Sequence, residues 1–138
     1  MYDFTYHRPK STADAAKAFT AGADPKFLAG GQTLLPTMKQ RLNAPTDLID
    51  LQDVAELRGI SVSGNAASIG AMTRHVEVAT SKDVHKLIPA LAELAEGIGD
   101  PAVRHAGTIG GSLANNDPSA DYPAAVLALD ATIHTARR

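Results

Sequence analysis

Residues 107–121 hold the feature that most constrains the fold, a glycine-rich segment that reads GTIGGSLANNDPSAD. Three glycines in its first five positions predict a tight turn, where the backbone takes φ values above zero and a ligand approaches the main chain closely. Successive N–H groups in such a turn hold a phosphate without lysine or arginine. The segment contains many donors and no Lys, Arg or His. A turn that needs glycine only for steric reasons is the alternative interpretation.

A second glycine segment, AGGQTLLP at 29–36, favours the phosphate interpretation. A short strand over 26–29 precedes its glycines, and a helix over 34–42 follows them. A strand, a glycine turn and a helix N-terminus in this order are typical of an anion site. Two neutral glycine segments facing one cleft suit a long ligand with a central pyrophosphate, such as a dinucleotide. The redox chemistry would then belong to that ligand.

The pattern of apolar and turn residues predicts an α+β chain with two lobes, at 1–52 and 57–138. The first lobe is predicted as β–α–β–α–β, with a capping box at Ser11 and Asp14 opening its first helix. The second lobe begins with a hairpin whose turn is Ser63-Gly64-Asn65. The remaining predicted elements are a helix capped by Thr73, a helix over 87–98 with Leu87, Leu91, Leu94 and Ile98 facing the core, a helix over 122–128 and a strand over 131–135.

Composition excludes several classes of function. The net charge is −2 with scattered basic residues, which argues against nucleic acid as a partner. No apolar run approaches the ~20 residues of a membrane span, and the N-terminus lacks the pattern of a signal peptide, so we expect a cytoplasmic protein. The absence of cysteine excludes disulfides and thiolate-held zinc or iron–sulfur clusters within these residues. The five histidines show no metal-ligand spacing, so no metal site is predicted.

No residue is predicted to be catalytic. The chain has neither a P-loop nor a Gly-x-Gly-x-x-Gly fingerprint after a strand, and no Gly-x-Ser-x-Gly elbow. Asp117 and Asp121 form either an acid–base pair or, more economically, caps and hydrogen-bond acceptors. His105 lies either near a redox centre or in a structural turn. Arg104 either pairs with a phosphate or a partner surface or is simply solvated.

The two glycine segments resemble the paired FAD-binding segments of the molybdopterin dehydrogenase flavoproteins. The resemblance is greatest to the medium, FAD-binding subunit of carbon monoxide dehydrogenase-type molybdenum hydroxylases, related to the flavin domain of xanthine oxidase. It extends over essentially the whole chain. Further matching stretches are FTYHRP at 4–9, DLIDL at 47–51, IGAMT at 69–73 and DPAVR at 100–104.

This resemblance implies a two-subdomain FAD-binding fold of the vanillyl-alcohol-oxidase, or PCMH, type. The cofactor-binding residues it implies belong to both segments, with Ile98 and Asp121 beside them. They are Ala29, Gly30, Gly31, Gln32, Thr33 and Leu34, then Ile98, then Thr108, Ile109, Gly110, Gly111 and Ser112, and Asp121. The backbones of 29–33 and 108–112 are expected to wrap the pyrophosphate. Three positions depart from the pattern. Ile98 occupies a position that holds an aromatic residue in xanthine oxidase, and Thr33 and Ser112 stand where relatives often carry Ser and Asn.

The implied function is that of a flavin electron-transfer subunit. A large partner subunit with the molybdenum cofactor would oxidise the substrate, and a small partner subunit with [2Fe-2S] clusters would pass electrons to FAD and on to an external acceptor. The complex would be a heterotrimer that can dimerise. Family members continue past residue 138, so we expect an incomplete second subdomain and weak FAD binding, or none, by these residues alone. The alternatives are a non-catalytic nucleotide-binding or assembly module and a stand-alone flavin oxidase.

Overall fold

A computed structural model of the chain describes residues 1–136. Its first part is a three-stranded parallel sheet with the order β1-β3-β2, connected by two helices. These elements are β1 (Thr5–His7), α1 (Thr12–Ala21), β2 (Pro25–Leu28), α2 (Leu34–Lys39) and β3 (Asp47–Asp50). The predicted β–α–β–α–β order is confirmed. Parallel strands need such crossover connections because consecutive strands must run in the same direction.

Ser11 is the N-cap of α1 as predicted, but the Asp14 side chain bonds the Ser11 hydroxyl instead of closing the predicted capping box on the Ser11 backbone. The Ser11 hydroxyl accepts a hydrogen bond from the Asp14 N–H at 3.1 Å and donates one to the Asp14 carboxylate at 2.8 Å. These bonds satisfy a backbone donor that the first turn of a helix leaves unpaired.

Helix α2 is shorter than the predicted 34–42. Arg41 adopts φ 61°, and the N–H groups of Arg41 and Leu42 donate to the carbonyls of Met38 and Thr37. This is the Schellman termination, which normally uses glycine at the left-handed position. Leu42 therefore leaves the apolar stripe of the helix and is 75% exposed.

The second part combines an antiparallel hairpin with six helices. After a 3-10 turn at Ala55–Leu57 come β4 (Ile60–Ser63), β5 (Ala66–Ile69), α3 (His75–Thr80), α4 (Lys82–Leu87), α5 (Pro89–Gly97), α6 (Pro101–Ala106), α7 (Ile109–Asn115) and α8 (Asp121–Ala128). The predicted hairpin is confirmed, with Gly64 at φ 58° in its turn. The predicted α8 is also confirmed.

Several predicted boundaries in this part are wrong. Thr73 does not cap α3, whose N-cap is Arg74. The Thr73 hydroxyl instead accepts from the Gly59 N–H and donates to the Gly59 carbonyl. The helix predicted over 87–98 begins at Pro89, which lacks the N–H that a helix interior needs. The sequence pattern does not predict helices α4 and α6, whose N-caps Ser81 and Asp100 each accept a hydrogen bond from a backbone N–H.

The predicted strand over 131–135 is absent. A strand persists only when a neighbouring strand supplies backbone hydrogen bonds. Within residues 1–136 the five strands pair with one another in two sheets, and neither sheet includes 131–135.

Two separate clusters of buried apolar side chains support the two parts. One contains Leu28, Met38 and Leu48. The other is larger and includes Leu91, with the predicted helix-face residues Leu94 and Ile98 packed against it. In the part of the chain described, no helix has both the length and the apolarity to cross a membrane.

Candidate functional site

A cleft of about 770 Å³ lies between the two glycine segments. Twelve of the thirteen residues predicted to bind the cofactor line it. They are Ala29, Gly30, Gly31, Gln32, Thr33, Leu34, Ile98, Thr108, Gly110, Gly111, Ser112 and Asp121. The thirteenth, Ile109, is 8% exposed and belongs to the larger apolar cluster, so it supports the cleft from behind.

The two segments approach each other at Gly30. A Cβ built on Gly30 would collide with the carbonyl oxygen of Ala106 and lie 2.6 Å from the Cα of Gly107. These are backbone atoms, which cannot rotate away as a side chain can. Glycine at this position therefore lets the two halves of the cleft meet.

The first segment offers free donors. Gly31 has φ 72°, and its carbonyl accepts from the Leu35 N–H at 3.1 Å, so the chain turns sharply into α2. Within residues 1–136, the N–H groups of Gln32, Thr33 and Leu34 take part in none of the hydrogen bonds. Three successive unpaired N–H groups at the cleft can bind an anion.

The second segment differs from its prediction. It forms helix α7 rather than an open turn, and none of its three glycines has a positive φ. Its glycines provide space instead: a Cβ on Gly110 would lie 2.5 Å from the Ala71 Cβ, and one on Gly107 would lie 2.6 Å from the His75 Nε2. The steric interpretation is therefore right for the conformation of this segment, although the segment still lines the cleft.

The backbone N–H groups at the start of α7 are already satisfied. Those of Ile109 and Gly110 donate to the carbonyls of Thr73 and Ala71 at 3.0 and 2.9 Å. The Gly111 N–H donates to the Thr108 hydroxyl at 3.1 Å. The Ser112 N–H donates to the Thr108 carbonyl at 3.0 Å. Most unused donors at the cleft thus belong to the first segment.

Two buried polar side chains also line the cleft, and the sequence prediction missed both. His75 and Tyr122 are 5% and 1% exposed, with ring centroids 5.2 Å apart. Neither the His75 Nδ1 nor the Tyr122 hydroxyl has a hydrogen-bond partner among residues 1–136. Burial lowers the pKa of His75, although the Asp121 carboxylate acts in the opposite direction. Burial also raises the pKa of the Tyr122 phenol. No sequence motif marks either residue.

The other charged candidates have structural contacts. Asp117 accepts from the N–H and hydroxyl of Ser119 at 2.9 and 2.7 Å, and these bonds, the backbone one first, lower the pKa of Asp117. Arg104 donates to the carbonyl of Ile98. The His105 Nδ1 bonds the Pro101 carbonyl at 2.8 Å, one turn earlier in α6. Asp117 therefore has the predicted acceptor role, and Arg104 fixes the segment that carries Ile98.

Comparison with known proteins identifies the family. Residues 2–138 match the family described as the FAD binding domain in molybdopterin dehydrogenase. The chain belongs to this family. The family cofactor is FAD, as expected from the two glycine segments.

Two curated relatives illustrate the similarity. The medium chain of carbon monoxide dehydrogenase from Hydrogenophaga pseudoflava is 46% identical over 129 residues, which are 93% of this chain and 45% of the relative. The medium chain of glyceraldehyde dehydrogenase from Sulfolobus acidocaldarius is 37% identical over 131 residues, 95% of this chain and 47% of the relative. The chain thus spans slightly less than half the length of these relatives.

Solved structures show the same fold. Carbon monoxide dehydrogenase from Hydrogenophaga pseudoflava superposes with a TM-score of 0.87 at 48% identity, covering 91% of this chain and 44% of the other. Quinoline 2-oxidoreductase from Pseudomonas putida 86 gives a TM-score of 0.80 at 39% identity, covering 83% and 40%. The predicted α+β FAD-binding fold is confirmed.

The residues at the cleft fit a dinucleotide. Unpaired N–H groups from Gln32 to Leu34 suit a pyrophosphate, which carries no donors of its own. The volume lies within the ~300–1,000 Å³ range of small-molecule sites. The described residues include no group of three or more metal-ligating side chains.

Proposed function

We propose that the chain is the FAD-binding part of an electron-transfer subunit of a molybdenum hydroxylase. The observation that carries this proposal is the single cleft formed by both glycine segments in a chain of the FAD-binding family. FAD, when bound, supplies the capacity to accept and release electrons. The chain supplies binding, orientation and exclusion of water.

We propose that the cofactor-binding residues are the thirteen predicted ones, with unequal roles. The N–H groups of 32–34 bind the pyrophosphate, because they are three successive unpaired backbone donors at the cleft. The Ser112 hydroxyl is a further donor at the cleft, while the backbone of 108–112 mainly shapes the wall. Asp121 is exposed and accepts hydrogen bonds from ligand hydroxyl groups, and Ile98 gives an apolar contact.

We also propose the two-lobe division into 1–52 and 57–138. Its support is that the smaller apolar cluster lies wholly within the first range and the larger one wholly within the second. The cleft then lies where the lobes meet, which is a common place for ligand sites.

The proposed partners are a large subunit with the molybdenum cofactor and a small subunit with [2Fe-2S] clusters, in a cytoplasmic heterotrimer. Support comes from relatives named as medium chains of carbon monoxide and glyceraldehyde dehydrogenases. Electrons would pass from the small subunit to FAD and then to an external acceptor. No side chain of this chain then needs to act as acid, base or nucleophile.

FAD titration tests the proposal, with the longest natural polypeptide that contains these residues and with flavin fluorescence as the signal. The test variant is Gly111→Val, because a Cβ at Gly111 in the wall of the cleft would lie 2.8 Å from the Thr108 Oγ1 and 3.3 Å from the Ala29 Cβ. The matched control is Gly99→Val, where no atom lies within 4 Å. We expect the unsubstituted polypeptide to bind FAD saturably and Gly99→Val to retain this binding. Gly111→Val should weaken FAD binding about a hundredfold or more, because the added side chain blocks a closely packed site. Absence of FAD binding, or equal loss in both variants, would favour an assembly module.

A further inference from the structure

A second, smaller cavity adjoins the cleft and has a different chemical character. Its volume is about 100 Å³, and it shares Ala29, Gly30 and Thr108 with the cleft. Three basic residues, Arg58, Arg74 and His105, also line it, together with Gln52, Met72 and Ala106. We call it the basic cavity. These side chains come from three separate places along the chain, so the tertiary structure brings them together.

Backbone contacts hold two of the three basic side chains. The Arg58 Nη2 donates to the Gln52 carbonyl at 2.6 Å, and the His105 Nδ1 bonds the Pro101 carbonyl. Arg74 is placed through its backbone, which forms an antiparallel bridge with Thr108. Among residues 1–136, the Arg74 guanidinium and the His105 Nε2 take part in none of the hydrogen bonds, so they are available to a ligand.

In the described part of the chain, no carboxylate forms an ion pair with these groups. Among residues 1–136 the ion pairs are His7–Asp47, Arg8–Asp53 and Lys26–Asp24, and none involves the basic cavity. Two acids lie close along the chain: Glu56, two residues before Arg58, accepts from the backbone N–H of Thr12, and Glu77 accepts from the backbone N–H of Arg74 at 2.7 Å. Arg58 and Arg74 are exposed and line the same cavity, so a bound anion would be attracted to both guanidinium groups.

We propose that the basic cavity binds a single phosphate-type oxyanion. A volume of about 100 Å³ corresponds to roughly three water molecules at ~30 Å³ each, which accommodates a tetrahedral oxyanion but not a nucleoside. Arg58 and Arg74 offer planar, charge-assisted donors, the geometry that favours phosphate. The oxyanion is either free phosphate or a phosphate group of a nucleotide that extends from the adjoining cleft.

The test is a titration of the whole polypeptide with inorganic phosphate, by calorimetry and by thermal unfolding, against sodium chloride at equal ionic strength. We expect phosphate to raise the unfolding temperature more than chloride does, because a ligand of the native state stabilises it. Arg74→Gln and Arg58→Gln should each weaken phosphate binding about tenfold by removing a charge-assisted donor. Arg41→Gln is the matched control, because Arg41 lies over the Tyr2 ring and outside both cavities.

The outcomes are distinguishable. Equal effects of phosphate and chloride would overturn the proposal, as would equal phosphate affinities of the Arg74→Gln and Arg41→Gln variants. Using two independent arginine variants guards against a folding defect in one of them. Competition between phosphate and FAD would assign the oxyanion to a nucleotide, and additive binding would assign it to free phosphate. The phosphate titration needs no FAD, so its result is independent of the proposed flavin function.

Discussion

Gly30→Ala is the sharpest test of how the cleft is built. The added Cβ would collide with the Ala106 carbonyl oxygen and lie 2.6 Å from the Gly107 Cα. Both distances are much shorter than the 3.4–4 Å of an ordinary contact. The chain must separate the two glycine segments by about 1 Å to relieve this overlap. Overpacking typically costs about 1–3 kcal/mol, and a clash with backbone atoms belongs at the upper end.

We therefore expect Gly30→Ala to lower the free energy of unfolding by about 3 kcal/mol, which is a factor of roughly 150 in the unfolding equilibrium. For a domain of this size the melting temperature should fall by about 10 °C. Thermal unfolding followed by circular dichroism measures this, and FAD affinity should fall as well because the cleft widens.

Gly97→Ala is the matched control for this substitution. Gly97 ends α5 and has no atom within 4 Å of a built Cβ, so alanine should be neutral or stabilising by up to about 0.5 kcal/mol. If Gly30→Ala melts within about 2 °C of this control, the segments do not meet closely at Gly30, and the described geometry of the cleft is wrong.

Three further predictions concern the buried groups near the cleft. Tyr122→Phe should raise the free energy of unfolding by about 1 kcal/mol, because the hydroxyl is buried without a partner; urea denaturation that shows a loss would contradict this. Because burial lowers the pKa of His75 in the native state, the imidazole binds a proton more readily in the unfolded chain. The free energy of unfolding should therefore be greatest above pH 6.5 and decline below it. This decline, followed by urea midpoints between pH 8 and 5, should be smaller in His75→Phe. Thr108→Val should cost about 1 kcal/mol in thermal unfolding by removing the bond to the Gly111 N–H, and Thr108→Ser should recover most of it.

The sequence determined the local elements that depend on neighbouring residues. Ser11 caps α1 as predicted, and Gly64 forms the turn of the hairpin. The parallel sheet followed from the order of strands and helices. The family was evident from the two glycine segments, since short motifs keep their spacing whatever surrounds them.

The tertiary structure decided what the glycines of the second segment do. A high glycine content predicts a turn, but packing of α7 against Ala71 and His75 makes them necessary for space rather than for positive φ. In the same packing, the N–H groups at the start of α7 form hydrogen bonds within the protein, so the unpaired donors lie mainly on the first segment.

Contacts between residues that are distant in sequence also decided which polar and basic side chains come together. His75 and Tyr122 meet at the cleft, and Arg58 and Arg74 meet at the basic cavity, although none of them belongs to a recognisable motif. A sequence pattern reports the helix face or the turn on which a side chain sits. It does not report which other element covers that side chain, because burial and charge proximity depend on pairs of residues that only the folded chain brings together.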